Sequence, residues 1–260
     1  MRRERAPLWI GILAAIGAAF FILPLLGLVV RTPWGDALRS LTSADTLEAL
    51  RLSLVASLSS TAVALVLGVP LAWVYARVDF PGRSVVRALT TLPMVLPPVV
   101  GGIALLLAFG RRGLLGSWFA MFGVSLPFTT AGVVLAETFV AMPFLVLTVE
   151  AGLRSMDRRY EDAARTLGAG RWTVFTRVTM PLIAPSVAAG AVLCWARALG
   201  EFGATITFAG NFPGVTQTMP LAVYLLLETN PEGSFVLSLI LLLVSLVVLV
   251  GLRHRWLGSA

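Results

Sequence analysis

Long apolar runs separated by short polar segments dominate the chain. Six of these runs are long enough to cross a hydrocarbon core of about 30 Å as helices, which takes roughly 20 residues each. The six predicted spans are residues 8–30, 52–76, 85–109, 130–152, 183–208 and 234–252. Unpaired backbone groups are too costly in lipid, and the runs are too long and continuous for barrel strands. The pattern therefore predicts an all-α, polytopic membrane protein with six transmembrane helices.

The first run resembles a signal peptide only at its start. Arg2, Arg3 and Arg5 precede it, as basic residues precede the apolar region of a secretory signal. The apolar run over residues 8–30 is too long for such a region and contains Pro24. We therefore predict that it is retained as a transmembrane helix.

Composition supports a membrane location and narrows the chemistry. Hydrophobic residues make up 58% of the chain and charged residues only 13%, about half the share usual in soluble domains. All 20 basic residues are arginine, so the lysine of a P-loop or a Schiff base is missing. The single cysteine, Cys194, excludes an internal disulfide and a thiolate cluster. The single histidine, His254, lies in the tail, where no His-based triad or zinc site can be assembled. The common catalytic and metal-binding groups are therefore absent.

The distribution of arginine predicts the orientation. With the N-terminus placed in the cytoplasm, 14 arginines fall on cytoplasmic segments and 5 on external ones, with Arg197 inside a span. This asymmetry is the positive-inside pattern and places both termini in the cytoplasm. The net charge of +7 therefore reflects topology, because no basic run alternates with aromatic residues as in a nucleic-acid groove. We expect membrane lipid and no nucleic acid around the chain.

The longest predicted cytoplasmic segment covers residues 153–182. Asp157 is positioned to cap a short helix that ends at Gly168, and a second helix is predicted from Arg171 to just before Pro181. From this pattern alone, an interfacial loop helix and a docking helix are both possible.

Residues of this segment resemble the E-x-A-A…G…LP signature of ABC importer permeases, with Met180 where leucine is common. In that family the loop holds a coupling helix that docks into a cleft on the ATP-hydrolysing subunit. Ala163, Ala164 and Leu167 form a small patch that suits docking. The resemblance assigns the following residues to the coupling loop: Glu161, Asp162, Ala163, Ala164, Leu167 and Gly168.

A second and more specific resemblance lies further along the chain. Residues 195–224 include ALGEFGATITFAGN and PGVTQTMP, and they look like the molybdate-type permeases of the ABC family. LPMVLPPVVGG at 92–102, GRRGLLG at 110–116 and ARTLGAGRW at 164–172 are similar to the same family, so the likeness covers most of residues 52–228. Sulfate and tungstate permeases are close relatives. The resemblance implies the type I ABC importer permease fold.

The resemblance also implies an assembly. Two copies of this chain, two ABC ATPase subunits and an external substrate-binding protein would import an oxyanion, with molybdate favoured, across the bacterial cytoplasmic membrane. The chain itself would hold no cofactor, and the partner ATPase would bind ATP-Mg. We divide the chain into an N-terminal tail, first span and external loop (1–51), a permease core (52–252) with the coupling loop 153–182, and a tail (253–260).

Three other functions stay open on the residues alone. A secondary anion transporter would show internal repeats, which the chain lacks. An intramembrane enzyme would need a convergent catalytic set, and only Glu137, Arg197 and Glu201 are available. A passive scaffold would tolerate a damaged coupling loop.

Candidate pathway residues concentrate at breaks and charges within the spans. Arg197 and Glu201 are four residues apart, so one helix face would present both, either as a pathway site or as a structural ion pair. An arginine fork would suit a doubly negative tetrahedral anion. A proline break in the third span is either a pathway lining or a static kink. The predicted pathway or gate residues are Arg197, Glu201, Gly200, Gly203, Thr205, Pro97 and Pro98.

We also make predictions for three other polar features of the sequence. Glu137 has no evident partner, and we favour a structural pairing for it. Glu150 lies four residues before Arg154, which predicts an ion pair at a helix end. The external loop 209–233 is polar and turns at Pro213, and it is predicted to be a surface for the substrate-delivering protein or a plain connector.

Overall fold

The computed structural model describes residues 7–256, with side chains described to residue 247. Within that range every regular element is helical. The helices are α1 (Leu8–Arg31), α2 (Trp34–Leu41), α3 (Ala44–Arg77), α4 (Arg83–Thr91), α5 (Pro98–Phe109), α6 (Gly116–Met121), α7 (Thr130–Ser155), α8 (Arg159–Thr166), α9 (Arg171–Val174), α10 (Met180–Leu199), α11 (Gly203–Ala209), α12 (Met219–Thr229) and α13 (Pro231–Trp256). Arg2, Arg3, Arg5 and the end of the predicted tail lie outside the described residues.

The long helices match the apolar runs. Four helices are long and apolar enough to cross a membrane: α1, α3, α7 and the continuous helix Arg171–Leu199. The pair α4–α5 supplies a fifth crossing if it is counted as one bent span, and α13 covers the last predicted run with an apolar stretch over Pro231–Val247. The chain is thus an all-α, multi-pass membrane protein.

The third span is broken more sharply than a kink. α4 and α5 are bent by 120° about a 3₁₀ turn at Leu92–Met94. Prolines at positions 93, 97 and 98 remove backbone donors there, so an α-helix cannot continue. Arg87, in the middle of α4, lies beside Glu150 near the end of α7, whereas Phe109 of α5 packs in one cluster with Leu126, just before α7 begins. The bent pair therefore still reaches from one end of α7 to the other.

The fifth span begins earlier and ends sooner than predicted. The second helix of the coupling loop does not end before Pro181, because α9 continues through a π-helical turn, Phe175–Thr179, into α10. In this wide turn the Met180 amide donates to the Phe175 carbonyl, and Pro181 lies in the first turn of α10, where a proline is tolerated. α10 ends at Leu199, and α11 is a separate short helix.

The predicted external loop is also partly helical, contrary to expectation. α12 occupies Met219–Thr229, and α13 starts at Pro231 rather than at residue 234. The Met219 amide donates to the Ser53 hydroxyl at 2.7 Å, which anchors the start of α12 against α3. The apolar sequence of α12 and its packing against α13 explain why this segment is ordered as a helix rather than as a loop.

The core is formed by α3, α7 and α10, which pack through small residues. Ala64, Ala72 and Ala141 are fully buried. A Cβ added at Gly152 would collide with Ser186, and one at Gly190 would lie 3.2 Å from the Leu145 carbonyl oxygen. Small residues allow the close helix approach on which packing in lipid depends. α1, by contrast, has no buried residue.

Candidate functional site

Arg197 and Glu201 form an ion pair at the break between α10 and α11. Arg197 Nη2 lies 2.6 Å from Glu201 Oε2, and the Glu201 side chain is 1% exposed against 31% for Arg197. The two residues do not share one helix face as predicted, because α10 ends at Leu199. Glu201 Oε1 instead accepts a hydrogen bond from the Ala204 amide at 2.9 Å. The carboxylate therefore pairs with arginine and also satisfies the first turn of α11, whose positive end favours a negative charge.

Two glycines let α5 and α11 approach closely. A Cβ at Gly203 would lie 2.5 Å from the Pro98 Cβ, and one at Gly102 would lie 2.6 Å from the Thr207 Cβ. The structure thus brings two predicted site residues, Pro98 and Gly203, into contact. Gly200, by contrast, brings no second helix close, since a Cβ there meets only the Ala196 carbonyl oxygen of its own helix, at 3.7 Å.

The remaining predicted pathway residues occupy different environments. Pro97 is exposed at the break before α5. Thr205 is fully buried in α11, and its hydroxyl has no hydrogen-bond partner among the described residues. Thr205 follows Glu201 by four residues along the chain, so a second buried polar group lies in the segment that begins at this break.

Two further acids lie on α7. Glu137 is buried, its Oε2 atom has no hydrogen-bond partner, and it forms no ion pair within residues 7–247, so the favoured pairing is not found. The predicted Glu150–Arg154 pair is confirmed at 2.8 Å. Glu150 also pairs with Arg87 at 3.1 Å, a contact that joins α7 to α4 and that the spacing along the sequence does not reveal.

Glu161 of the predicted coupling loop points into the protein. It is ion-paired with Arg77 at 3.3 Å and accepts a hydrogen bond from the Thr179 hydroxyl at 2.7 Å. The side chains of Glu161 and Arg77 are 4% and 8% exposed. Glu161 therefore fixes α8 to the end of α3 and to the π-helical turn, and it is not available to a partner surface.

The opposite side of α8 is open. Ala163 is exposed, Ala164 is half-buried, and Leu167 is 89% exposed. Gly168 follows with a φ of +84°, a left-handed conformation that favours glycine and ends the helix. Asp162 is exposed and pairs with Arg165 at 3.0 Å. We call Tyr160, Ala163, Ala164 and Leu167 the docking face, because they recur at helical spacing on one side of α8.

Three polar residues of the segment after α11 point into the protein, whereas Asn211 is half-buried. Thr216, Gln217 and Thr218 are buried, and the Thr216 hydroxyl accepts a hydrogen bond from the Phe212 amide at 2.9 Å. The exposed tip is apolar and consists of Phe212 and Val215, with the ring of Phe128 packed edge-on against Phe212. The Thr216 hydrogen bond therefore stabilises the turn itself, and the predicted contact of this segment with a substrate-delivering protein stays a prediction.

Comparison with known families decides the class of protein. The family described as "Binding-protein-dependent transport system inner membrane component" matches residues 64–259, well over half of the chain. The chain belongs to this family. We refer to it below as the permease.

Curated relatives extend the likeness over nearly the whole permease. It is 47% identical over 251 residues to the molybdenum transport system permease protein ModB of Mycobacterium tuberculosis, covering 96% of this chain and 94% of the relative. It is 42% identical over 212 residues to the protein of the same name from Escherichia coli, covering 81% and 93%. The sulfate transport system permease protein CysT of Escherichia coli is 35% identical over 225 residues, covering 85% of this chain and 81% of the relative.

Solved structures agree in fold. The permease is similar to a chain of a bacterial ABC transporter involved in the import of the acidic polysaccharide alginate, with a TM-score of 0.75 and 19% identity, covering 97% of this chain and 96% of that one. A second structure of the alginate transporter, in complex with a periplasmic protein carrying an alginate pentasaccharide, gives a TM-score of 0.73 at 18% identity, covering 97% and 95%. The likeness establishes the ABC importer permease fold.

Proposed function

We propose that the permease is the membrane-spanning subunit of an ATP-driven importer whose cargo is molybdate. The observation that carries this proposal is the 47% identity to a molybdenum transport permease over 96% of the chain. Sulfate is the second candidate, because the sulfate permease relative is 35% identical over 85% of the chain. Tungstate is a third, since it shares the charge and shape of molybdate.

The proposed assembly contains two copies of the permease, two ABC ATPase subunits and an external binding protein. ATP-Mg binds to the ATPase subunits, because the permease has no lysine for a P-loop. The exposed docking face of α8 supports a cytoplasmic contact with the ATPase. α1 exposes apolar side chains all round, which supports its contact with lipid or with the second copy.

Transport in this assembly follows an alternating cycle. ATP binding closes the ATPase dimer and moves the docked α8 helices, and the bundle switches from inward- to outward-facing. The binding protein then releases the anion into the pathway, and hydrolysis returns the bundle to the inward-facing state. Because an ABC subunit supplies the energy, no ion gradient is required.

Arg197 is the proposed pathway residue. Its guanidinium is partly exposed, carries a fixed positive charge and is oriented by Glu201. A tetrahedral anion can accept hydrogen bonds from the planar fork, while the neighbouring carboxylate keeps the attraction weak enough for release. α11 begins at the same point, so a movement of this ion pair also moves the close α5–α11 contact.

The function is tested by reconstituting the permease with its ATPase and binding protein in liposomes. We expect molybdate uptake that requires ATP and that tungstate inhibits more strongly than sulfate. Calorimetric titration of the binding protein with the three anions gives an independent ranking. Uptake that persists without ATP and follows an ion gradient would contradict the proposal in favour of a secondary transporter.

The role of Arg197 is tested in the same liposomes. We expect Arg197→Ala to lower molybdate uptake at least about tenfold, since loss of a charge-assisted contact costs about 1.5–3 kcal/mol. Arg154→Ala is the matched control, because Arg154 also pairs with a buried glutamate four residues away. Normal uptake in both Arg197→Ala and Glu201→Ala would leave the pair a purely structural one.

A further inference from the structure

A basic cavity lies behind α8, on the side away from the docking face. It encloses about 580 Å³ between the end of α3, α8 and the α9 region. Four arginines line it: Arg77, Arg158, Arg165 and Arg171. Glu161 and Asp162 also line it, so the cavity carries more positive than negative charge.

The carboxylates of the cavity offset only two of these arginines. Arg77 pairs with Glu161, and Arg165 pairs with Asp162. Arg158 and Arg171 form no ion pair among the described residues, although Arg158 donates a hydrogen bond to the Ala76 carbonyl at 3.3 Å. Two guanidinium groups are therefore available to an anion, and the hydrogen bond to Ala76 orients one of them.

Aromatic rings border the same cavity. Trp73 and Phe175 line it and pack edge-to-face at a centroid distance of 6.4 Å. Trp172 stacks on Phe175 at 5.9 Å and is itself exposed. Tryptophan is enriched where a bilayer meets water, because its ring is apolar and its N–H is polar. An anion site with an aromatic border fits an amphiphilic ligand better than a free ion.

The two sides of α8 are distinct. Arg158, Glu161, Asp162 and Arg165 follow the helical spacing of one face, and Tyr160, Ala163, Ala164 and Leu167 follow that of the opposite face. A partner bound to the docking face would therefore leave the cavity open towards the membrane surface.

We propose that this cavity binds the phosphodiester headgroup of an anionic phospholipid, with Arg158 and Arg171 as its ligands and Trp73, Trp172 and Phe175 beside its glycerol and acyl region. The proposal rests on the proposed function only in placing this end of the bundle at the cytoplasmic leaflet. Basic pockets between helices on that side suit anionic headgroups, because positive charge there meets a negative membrane surface.

The test counts lipids on the permease assembled with its ATPase subunits. The complex is titrated in neutral detergent with phosphatidylglycerol or phosphatidylcholine, and bound lipid is measured by native mass spectrometry. We expect selective retention of phosphatidylglycerol. The double variant Arg158→Gln/Arg171→Gln should bind it roughly 10- to 30-fold more weakly, since each arginine near an anionic lipid contributes about fivefold.

A matched control removes the same charge from the same loop. Arg159 and Arg177 are exposed and do not line the cavity, so Arg159→Gln/Arg177→Gln should change the affinity less than about twofold. Equal weakening in both double variants would reduce the effect to general surface attraction and overturn the site. Displacement of the lipid by molybdate or inorganic phosphate at constant ionic strength would instead identify a free-anion site.

Phosphatidylglycerol that binds the permease alone but not the complex would also overturn the proposal, because it would mean that the partner fills the cavity. Gel filtration of each variant checks that the complex is intact. Lipid counting does not depend on anion uptake. The proposal of a lipid site and the proposal of anion transport can therefore be contradicted independently of each other.

Discussion

Glu161 and Glu201 are almost fully buried, and each is shared between an arginine and a second donor. Glu161 holds Arg77 and the Thr179 hydroxyl, and Glu201 holds Arg197 and the Ala204 amide. Removing one partner of a buried ion pair is costly, because the other charge stays buried without compensation. Substitution of either carboxylate should therefore lower the free energy of unfolding more than substitution of an exposed residue nearby.

The substitution Glu161→Ala should lower the free energy of unfolding by about 3 kcal/mol, because it leaves the buried Arg77 without its counter-charge. Asp162→Ala is the neighbouring control. Its pair with Arg165 is solvent-exposed, so the change should be within about 0.5 kcal/mol. Both values can be measured by reversible denaturation followed by tryptophan fluorescence. Equal stabilities of the two variants would argue against the inward role of Glu161.

The two glycines at the break between α10 and α11, Gly200 and Gly203, allow a similar comparison of stabilities. Gly203→Ala should destabilise the permease by roughly 1–3 kcal/mol, because the new methyl group would overlap Pro98 and force α5 away from α11. Gly200→Ala should cost little, since its methyl group meets only a carbonyl oxygen of its own helix. Thermal unfolding of the two purified variants in detergent distinguishes them. A larger loss for Gly200→Ala would show that the helix contact is misplaced.

The limits of sequence reasoning are visible at single residues. The Arg197–Glu201 pair follows from a spacing of four, but its position beyond a helix end does not. Gly200 caps α10, yet glycine is also frequent inside membrane-spanning helices, so it did not by itself predict the end of the helix. Glu161 could not be placed inside, since its partner Arg77 is 84 residues away along the chain. Contacts of that separation depend on tertiary packing, which a single sequence does not encode in its periodicity.

At the level of elements, apolar length located the spans but not their interruptions. The prolines of LPMVLPP predicted a break, and the structure gives it as a 120° bend. The π-helical turn before Pro181 and the helix α12 were missed. Both depend on partners elsewhere, the Thr179 contact with Glu161 and the Ser53 contact with Met219.

α8 has a charged face towards the cavity and an opposite docking face. The docking face can be tested without disturbing the fold, because its side chains are not part of the core. Leu167→Asp should abolish copurification of the ATPase subunits, because a charge would be placed in the centre of an apolar contact. Leu114→Asp provides the control, since Leu114 is 87% exposed but lies on the predicted external side. Pull-down of tagged permease from membranes measures both. Normal ATPase recovery with Leu167→Asp would contradict the assignment of the docking face.

At the level of the whole molecule, the permease is a bundle of helices whose orientation is predicted from charge. The family match and the apolar helices establish a multi-pass membrane protein. The side occupied by each loop rests on the arginine distribution alone. The sequence was therefore sufficient to predict the class of fold, and its arginine distribution predicts which loops face the cytoplasm.

Single-cysteine labelling tests this orientation, because the native Cys194 is buried and should not react. In intact cells, a membrane-impermeant maleimide should label Val215→Cys but not Arg159→Cys. Both positions are exposed in the structure, so permeabilised cells should show labelling of each. The reverse pattern in intact cells would invert the predicted orientation.

The two bonds of Glu161 also have a mechanical meaning. They attach α8 to α3 through Arg77 and to the helix leading into α10 through Thr179. A helix attached at one point can rotate about that contact, whereas a helix attached at two points moves together with both of the helices that hold it. In the proposed complex, a push on the docking face would therefore turn α3 and α10 as a pair. A displacement of the ATPase subunit would then be carried along α10 to Arg197, in the last turn of that helix.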